Sequence, residues 1–145
     1  MSKRIGKFTT VSVDDSGNTA RDITNDVTSL GGVPLTYEEI EVGGYGQDKY
    51  YLAGRADNSI TLEGFFNPTA TTGSHTVLSG IDGSNTARTV TIGYGSNATP
   101  TGGDPEFEGE FICTEYTVTP DLNGAMMFSA KFMPGSSTLP AWGTV

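Results

Sequence analysis

Cysteine, histidine and tryptophan each occur once, as Cys113, His75 and Trp142. A single cysteine cannot form an internal disulfide, so the fold requires no oxidising compartment. One His and one Cys cannot supply the usual zinc ligand set. A Ser-His-Asp or Cys-His site would have to use His75 with Ser74, Ser79, Asp82 or distant Cys113, and no spacing favours it. A surface or helix-cap role suits His75 better. No apolar run approaches the ~20 residues of a membrane span. The segment Ile5-Gly-Lys-Phe-Thr-Thr behind the basic start is not a signal-peptide core, so synthesis in a cytoplasm and no membrane partner are expected. Positive charge is scarce: eight Lys and Arg stand against seventeen Asp and Glu, for a net charge of −9. That excludes gripping nucleic acid, which needs a basic patch, but not a surface past which nucleic acid slides.

Charge as a whole is also short, at 17% of 145 residues, where about 25% is usual. Thr, Ser, Asn and 20 Gly take its place. Subunits that bury surface against copies of themselves look this way, because desolvating charge at an interface is costly. A Thr-rich β protein with many turns reads equally well. The length fits one domain, residues 1–145, with no linker or internal repeat.

The hydrophobic period is two almost throughout. Strands are expected at Phe8–Val13, Asp22–Thr24, Leu35–Val42, Ser59–Phe66, Ala87–Tyr94, Phe107–Val118 and Met126–Phe132. Asp14-Asp-Ser-Gly-Asn18 has turn chemistry, with Gly17 free to take positive φ. Asn25–Leu30 reads as one helical turn stopped by Gly31-Gly32 and Pro34. Thr71–Ile81 is the best helix, capped by Thr72 or Ser74 and closed by Gly80 and Gly83. The apolar face of the longest strand changes from Phe107 and Phe111 to Ile112, Tyr116 and Val118, which implies a bulge near Phe111-Ile112. Asp121-Leu-Asn-Gly124 is the strongest hairpin turn. Gly43–Asn58 is too long for a tight hairpin loop and too aromatic for plain disorder. The expected fold is mostly β: an antiparallel sandwich or barrel with one short flanking α-helix, a long inter-strand loop and terminal arms.

Two patterns bear on function. Glu106, Glu108 and Glu110 alternate along one strand and share a face, about 7 Å apart per step. Such charges repel by roughly 0.6 kcal/mol in water and several times more at lower dielectric, so this face is wet. It is an outer surface, a channel wall or, less naturally, a glycosidase-type carboxylate site with Glu39, Glu41 or Asp104 as further candidates. Tyr45, Tyr50, Tyr51, Phe65, Leu139 and Trp142 lie in segments that look peripheral. Together they suggest a loop and a tail that order against a neighbour, or else fold back on their own domain. Gly93-x-Gly95-x-x-Ala98 imitates a dinucleotide loop but is followed by Thr-Pro-Thr-Gly-Gly rather than a helix. The oxygens of Asp14–Asn18 lack the EF-hand spacing for calcium. Asn97-Ala-Thr99 matches a glycosylation acceptor, which carries no meaning without export. No cofactor or metal is expected.

Four segments resemble the tail tube proteins of long-tailed bacteriophages: Arg21–Leu30, Leu35–Val42 with the loop to Gly54, Asp57–Pro68 leading to Thr72–Leu78, and Phe111–Phe132 around Pro120-Asp-Leu-Asn-Gly124. The type VI secretion tube protein is related. The resemblance implies a non-enzymatic subunit that closes with copies of itself, six to a ring, into stacked rings forming a hollow tube. It implies partners in the tape measure, tail terminator and distal tail proteins, DNA passing through the lumen without specific binding, and a place in the virion after synthesis in the host bacterial cytoplasm. It assigns subunit bridging to Gly43–Asn58, Met1–Lys7 and Pro134–Val145. Other readings are a type VI-like secretion tube, a head decoration protein, or a carbohydrate-binding or adhesin sandwich with a Tyr50/Tyr51 platform.

Overall fold

The computed structural model describes residues 3–31, 35–96 and 98–145. The Gly32 stop, the Pro34 block, the Asn97 acceptor and the first two residues of the N-terminal arm lie outside them. The described chain forms β1 (Thr9–Asp14), β2 (Ala20–Asp22), β3 (Val27–Leu30), β4 (Thr36–Glu41), β5 (Tyr51–Asp57), β6 (Ile60–Phe65), α1 (Ser74–Ile81), β7 (Arg88–Tyr94), β8 (Pro105–Thr119), β9 (Met127–Pro134) and β10 (Ala141–Thr144). The mostly-β fold with a single α-helix is as expected.

One antiparallel sheet runs β2-β1-β7-β8-β9-β6-β3, with β10 also on β8, and β4-β5 stands apart as a two-stranded ribbon. The long strand β8 organises the sheet. Its first half pairs with β7 on one side, and β10 and then β9 follow along the other. Alternation sorts the side chains by face. Val11, Ile92, Phe107 and Trp142 form one cross-strand row; Ile60, Phe132 and Cys113 form another. These rows curl around α1, which contributes Val77, Leu78 and Ile81 to a core dominated by Phe107, Phe111 and Phe132. Burial of such side chains, at about 1.5–3 kcal/mol each, is what holds the sheet curled. The sheet does not close into a barrel.

Several local expectations need correction. Gly43–Asn58 is not an excursion: Tyr51–Asp57 returns along β4 as β5, leaving a turn at 42–50. Asn25–Leu30 is not helical, because a 3-10 turn at Thr24–Asp26 leads directly into β3, paired with β6. The bulge in β8 falls at Thr114, between Cys113 and Glu115, not at Phe111-Ile112. Phe111 and Cys113 are both buried in the core, and Tyr116 and Val118 continue that face only after the extra residue. The left-handed residue of the first turn is Asn18, not Gly17. Asp15 shapes that turn by accepting hydrogen bonds from the Gly17 and Thr19 N–H groups.

Helix α1 is capped from a distance. Gly73 occupies the cap position and gives no side chain. The Asp26 carboxylate instead accepts from the Ser74 N–H at 3.1 Å and from Asn67 Nδ2. Ser74, expected as a cap, is buried and donates its hydroxyl to the Phe65 carbonyl. The far end closes as expected near Gly83, whose φ of +75° lets its N–H reach the Cys113 carbonyl.

Candidate functional site

The features that bear on function are surfaces. The first is the β4-β5 hairpin. Glu38, Ile40 and Val42 face one way with Tyr50 and Leu52, while Tyr37, Glu39 and Glu41 face the other with Tyr51 and Ala53. Every residue of β4 is exposed; Ile40 and Leu52 keep 45% and 55% of their surface in solvent. Two-stranded ribbons are marginal alone in water, and among the described residues nothing covers the apolar stripe of this one. Tyr45, at the turn, is fully exposed, and Tyr50 and Tyr51 are more than half exposed. The structure thus gathers the three tyrosines on one projecting element.

The tail is held differently. Strand β10 pairs with β8, and the Trp142 ring sits edge-on to Phe107 and tilted against Tyr94. Half of Trp142 still faces solvent. Residues 135–140 leave the sheet between β9 and β10, and buried Pro140 packs over Gly109. Leu139 lies in this excursion, beside the root of the hairpin at Tyr37 and Arg55. At the other end Arg4 bonds Asp104 at 2.8 Å and the Tyr94 carbonyl at 2.9 Å, tying the described part of the N-terminal segment to the same corner. The guanidinium of Arg4 holds the Asp104 carboxyl below its ordinary range. Neither terminal segment is a free arm within the described residues. Phe65 lies on the outer face of β6 opposite Met127 and is 43% exposed.

Glu106, Glu108 and Glu110 do share one face of β8, opposite the core. They sit across from Gly93, Thr91 and Thr89. Thr91 Oγ1 donates to Glu108 at 3.2 Å, and Thr89 Oγ1 donates to Glu110 at 2.6 Å. Thr10 and Ser12 extend this face across β1. Burial, with the charge of Glu110 adding to it, raises the carboxyl of Asp14 against the opposing pull of Thr89 hydrogen bonds. The result is a polar, acidic sheet face on which Glu108 is exposed, Glu106 and Glu110 are half-buried, and Pro100 packs over Gly93.

The other candidates are structural. His75 caps nothing: it sits in the first turn of α1, half-buried, with Nδ1 bonded to the Tyr116 hydroxyl and its ring against Phe66. Cys113 is buried, and that burial together with Asp82 pushes its thiol up to about 12, far from a nucleophile's range. Gly93–Ala98 leads through a loop to β8, not to a helix. Among the described residues no group of three His, Cys, Asp or Glu is placed to hold a metal, and no helix is long and apolar enough to cross a membrane.

Sequence reasoning missed one feature. A cleft of about 790 Å³ lies between the early part of β1 and strand β3, where the curled sheet fails to close. Among the described residues β2 pairs with Ser12–Asp14 only; Val11 is met beyond it by the Ile23 N–H and the Thr24 hydroxyl, and no strand lies beside Thr9–Val11 on that side. Strand β3 has β6 as its only partner among the described residues. Val11, Val27, Leu30 and Tyr94 make the apolar part of the lining, and Lys7 is the one charged residue among it.

The chain matches no family model and no curated protein. Solved structures share its fold over its whole length. A chain from the sheath/tube terminator of an extracellular contractile injection system, PVC, is 16% identical, with 99% of each chain covered and a TM-score of 0.74. The SPP1 tail tube protein is 7% identical, with 99% of this chain and 80% of that one covered and a TM-score of 0.76. A chain from the virion of a native gene transfer agent particle is 17% identical, with 98% and 100% covered and a TM-score of 0.66. This chain therefore has the fold of tail tube and tube terminator proteins, which is the family its sequence resembles.

Proposed function

We propose that this chain is a non-enzymatic structural subunit that joins copies of itself into rings, six to a ring, stacked as the hollow tube of a phage or phage-like tail. The observation that carries the reading is the β4-β5 hairpin, which leaves its apolar stripe bare and needs a neighbour to cover it. The shared fold with tube proteins supports the same conclusion. Head-to-tail contact by one such element builds rings and filaments from a single protein.

The acidic face of β1, β7 and β8 then lines the lumen, with Glu106, Glu108 and Glu110 repelling phosphates so that DNA slides instead of sticking. The tape measure, terminator and distal tail proteins are its partners, and the virion tail is its location. Electron microscopy of the purified protein tests the assembly: tubes or rings are expected, and monomers at every concentration, with or without initiating tail proteins, overturn it. Changing Glu106, Glu108 and Glu110 to Lys leaves assembly intact and impairs DNA delivery; normal delivery removes the lumen assignment.

A second reading is that the subunit terminates a tube instead of extending it, favoured by the likeness to structures of a tube terminator and of a tube-terminating cap. Single rings that bind tube ends and never elongate select this reading.

A further inference from the structure

The connection between β8 and β9 carries a chemistry of its own. Of the seven asparagines, only Asn123 is followed by a glycine. We propose that Asn123 is a site of spontaneous, one-way modification: the backbone nitrogen of Gly124 attacks its side-chain amide, ammonia leaves, and the position ends as aspartate or isoaspartate, with water as the only co-reactant. This holds whether or not copies of the chain assemble.

Asn-Gly suits a tight two-residue hairpin turn, in which both residues take positive φ. Here the connection is longer, residues 120–126, and neither Asn123 nor Gly124 has positive φ. The pair is therefore not locked into that turn, and every residue of 120–126 is exposed. The Gly124 N–H donates to the Asp121 carbonyl at 3.4 Å, longer than the usual range of about 2.7–3.2 Å, so its nitrogen is weakly held. Asp121 Oδ1 accepts from the Asn123 N–H at 3.0 Å, and Oδ2 lies 2.9 Å from where a Cβ on Gly124 would stand. Only the end of that flexible side chain crowds Gly124. Asp82-Gly83 shows the contrasting, locked case: the Cys113 carbonyl holds the Gly83 N–H at 3.0 Å, with φ at +75°. Exposed Asn25 and Asn85 are followed by Asp26 and Thr86, whose side chains hinder the same attack.

The steps balance without an oxidant or reductant. The Gly124 nitrogen gives its proton to hydroxide and forms a bond to the Asn123 side-chain carbonyl carbon. That carbon expels the side-chain nitrogen, which takes up a proton and leaves as ammonia, and the chain carries a cyclic imide. Water adds to one of the two imide carbonyls, the ring opens, and the Gly124 nitrogen regains its proton. Opening at the side-chain carbonyl leaves aspartate on the ordinary backbone. Opening at the main-chain carbonyl leaves isoaspartate, which lengthens the backbone by a methylene. Either product adds a negative charge to a chain of net charge −9. The fold accommodates both, because the change is confined to an exposed connection, and β9 pairs with β8 and β6 from Met127 onward.

The test incubates the full, folded chain in mildly alkaline buffer and samples it by peptide mass spectrometry, with isoaspartate counted by enzymatic methylation. The amide-to-acid mass change should accumulate on the peptide containing Asn123, release ammonia in matching amount, quicken as pH rises and yield isoaspartate as well as aspartate. The peptides containing Asn25 and Asn85 should stay unchanged over the same period. Gly124→Ala should bring the change at Asn123 down to their level. An added Cβ there displaces only the end of the Asp121 side chain, so this variant keeps the fold. A folded chain that keeps the Asn123 amide overturns the proposal, whether or not the same chain loses it in urea, since the folded turn then protects the site. Equal rates at Asn25, Asn85 and Asn123, or a Gly124→Ala chain that reacts as fast as wild type, overturn it as well.

Discussion

Replacing Asp26 should cost more stability than any surface carboxylate in the chain, and the structure says how much. Its two oxygens accept from Asn67 Nδ2 at 3.1 Å each, and one also accepts from the Ser74 N–H at 3.1 Å. It therefore caps α1, places negative charge at the helix N-terminus, and ties the start of β3 to the segment after β6. Loss of a cap costs about 0.5–2 kcal/mol, and a hydrogen bond to a charged group contributes about 1.5–3 kcal/mol net. Asp26 is half-buried, so water replaces part of what is lost, and Asp26→Ala should cost about 2 kcal/mol. For a domain of this size that is a fall in Tm of about 6 °C. Asp26→Asn keeps one acceptor without the charge and should cost about half as much. Thermal unfolding of the unassembled protein, followed by circular dichroism, measures both. A fall below about 1 °C for the Ala variant, or an Asn variant as damaged as the Ala one, would refute the capping argument.

Gly64 faces the Asp26 carbonyl so closely that an added Cβ would collide with backbone. Gly64→Ala should destabilise by at least about 2 kcal/mol in a urea titration, with β3 forced off β6. Trp142→Ala uncovers Phe107 and Tyr94; with half the indole already exposed, the loss should be about 2 kcal/mol, roughly half that of a core tryptophan, read as a lower urea midpoint. Cys113 should be silent to a thiol reagent at neutral pH in the native protein and react only on unfolding. Burial raises its folded value to about 12 from an ordinary 9.0, so the unfolded chain loses its proton first. The contribution to stability is complete below an ordinary thiol's 9.0 and is lost as pH rises toward about 12, a decline that Cys113→Ala should flatten.

What can be read from the sequence divides along physical lines. Strands with strict alternation and β-branched residues, such as Thr9–Asp14 and Arg88–Tyr94, are visible because one face is buried by the chain itself. Strand β5 is not, since Ala53, Gly54 and Ala56 have low strand propensity and its order comes from pairing with β4. Strands β3 and β10 are four residues each, too short to show a period, and exist because β6 and β8 offer edges. The pattern puts the bulge two residues early because Ile112 has the character of a core residue; it is only half-buried, beside Gly135. The remote cap by Asp26 and the cleft between β1 and β3 depend on segments brought together by topology, and no local pattern announces either. The shared face of Glu106, Glu108 and Glu110 follows from period two alone.

The placement of charge also decides which way copies can meet. The hairpin links β3 to β6 at one side of the sheet, and the acidic stripe lies on β1, β7 and β8 toward the other. A copy covering the hairpin therefore does not have to desolvate Glu106, Glu108 or Glu110. A symmetric hairpin-to-hairpin dimer would hide the same apolar stripe, but it would bring Glu38, which shares that face, of two chains together. Like charges about 7 Å apart repel by roughly 0.6 kcal/mol each in water and by several times that as water leaves the contact. The closed dimer is thus penalised at that carboxylate pair, while a head-to-tail contact, which meets a different surface, avoids the repulsion. A head-to-tail contact leaves one unused hairpin at one end of a growing row of subunits and one unused partner surface at the other, so subunits add until the ring closes.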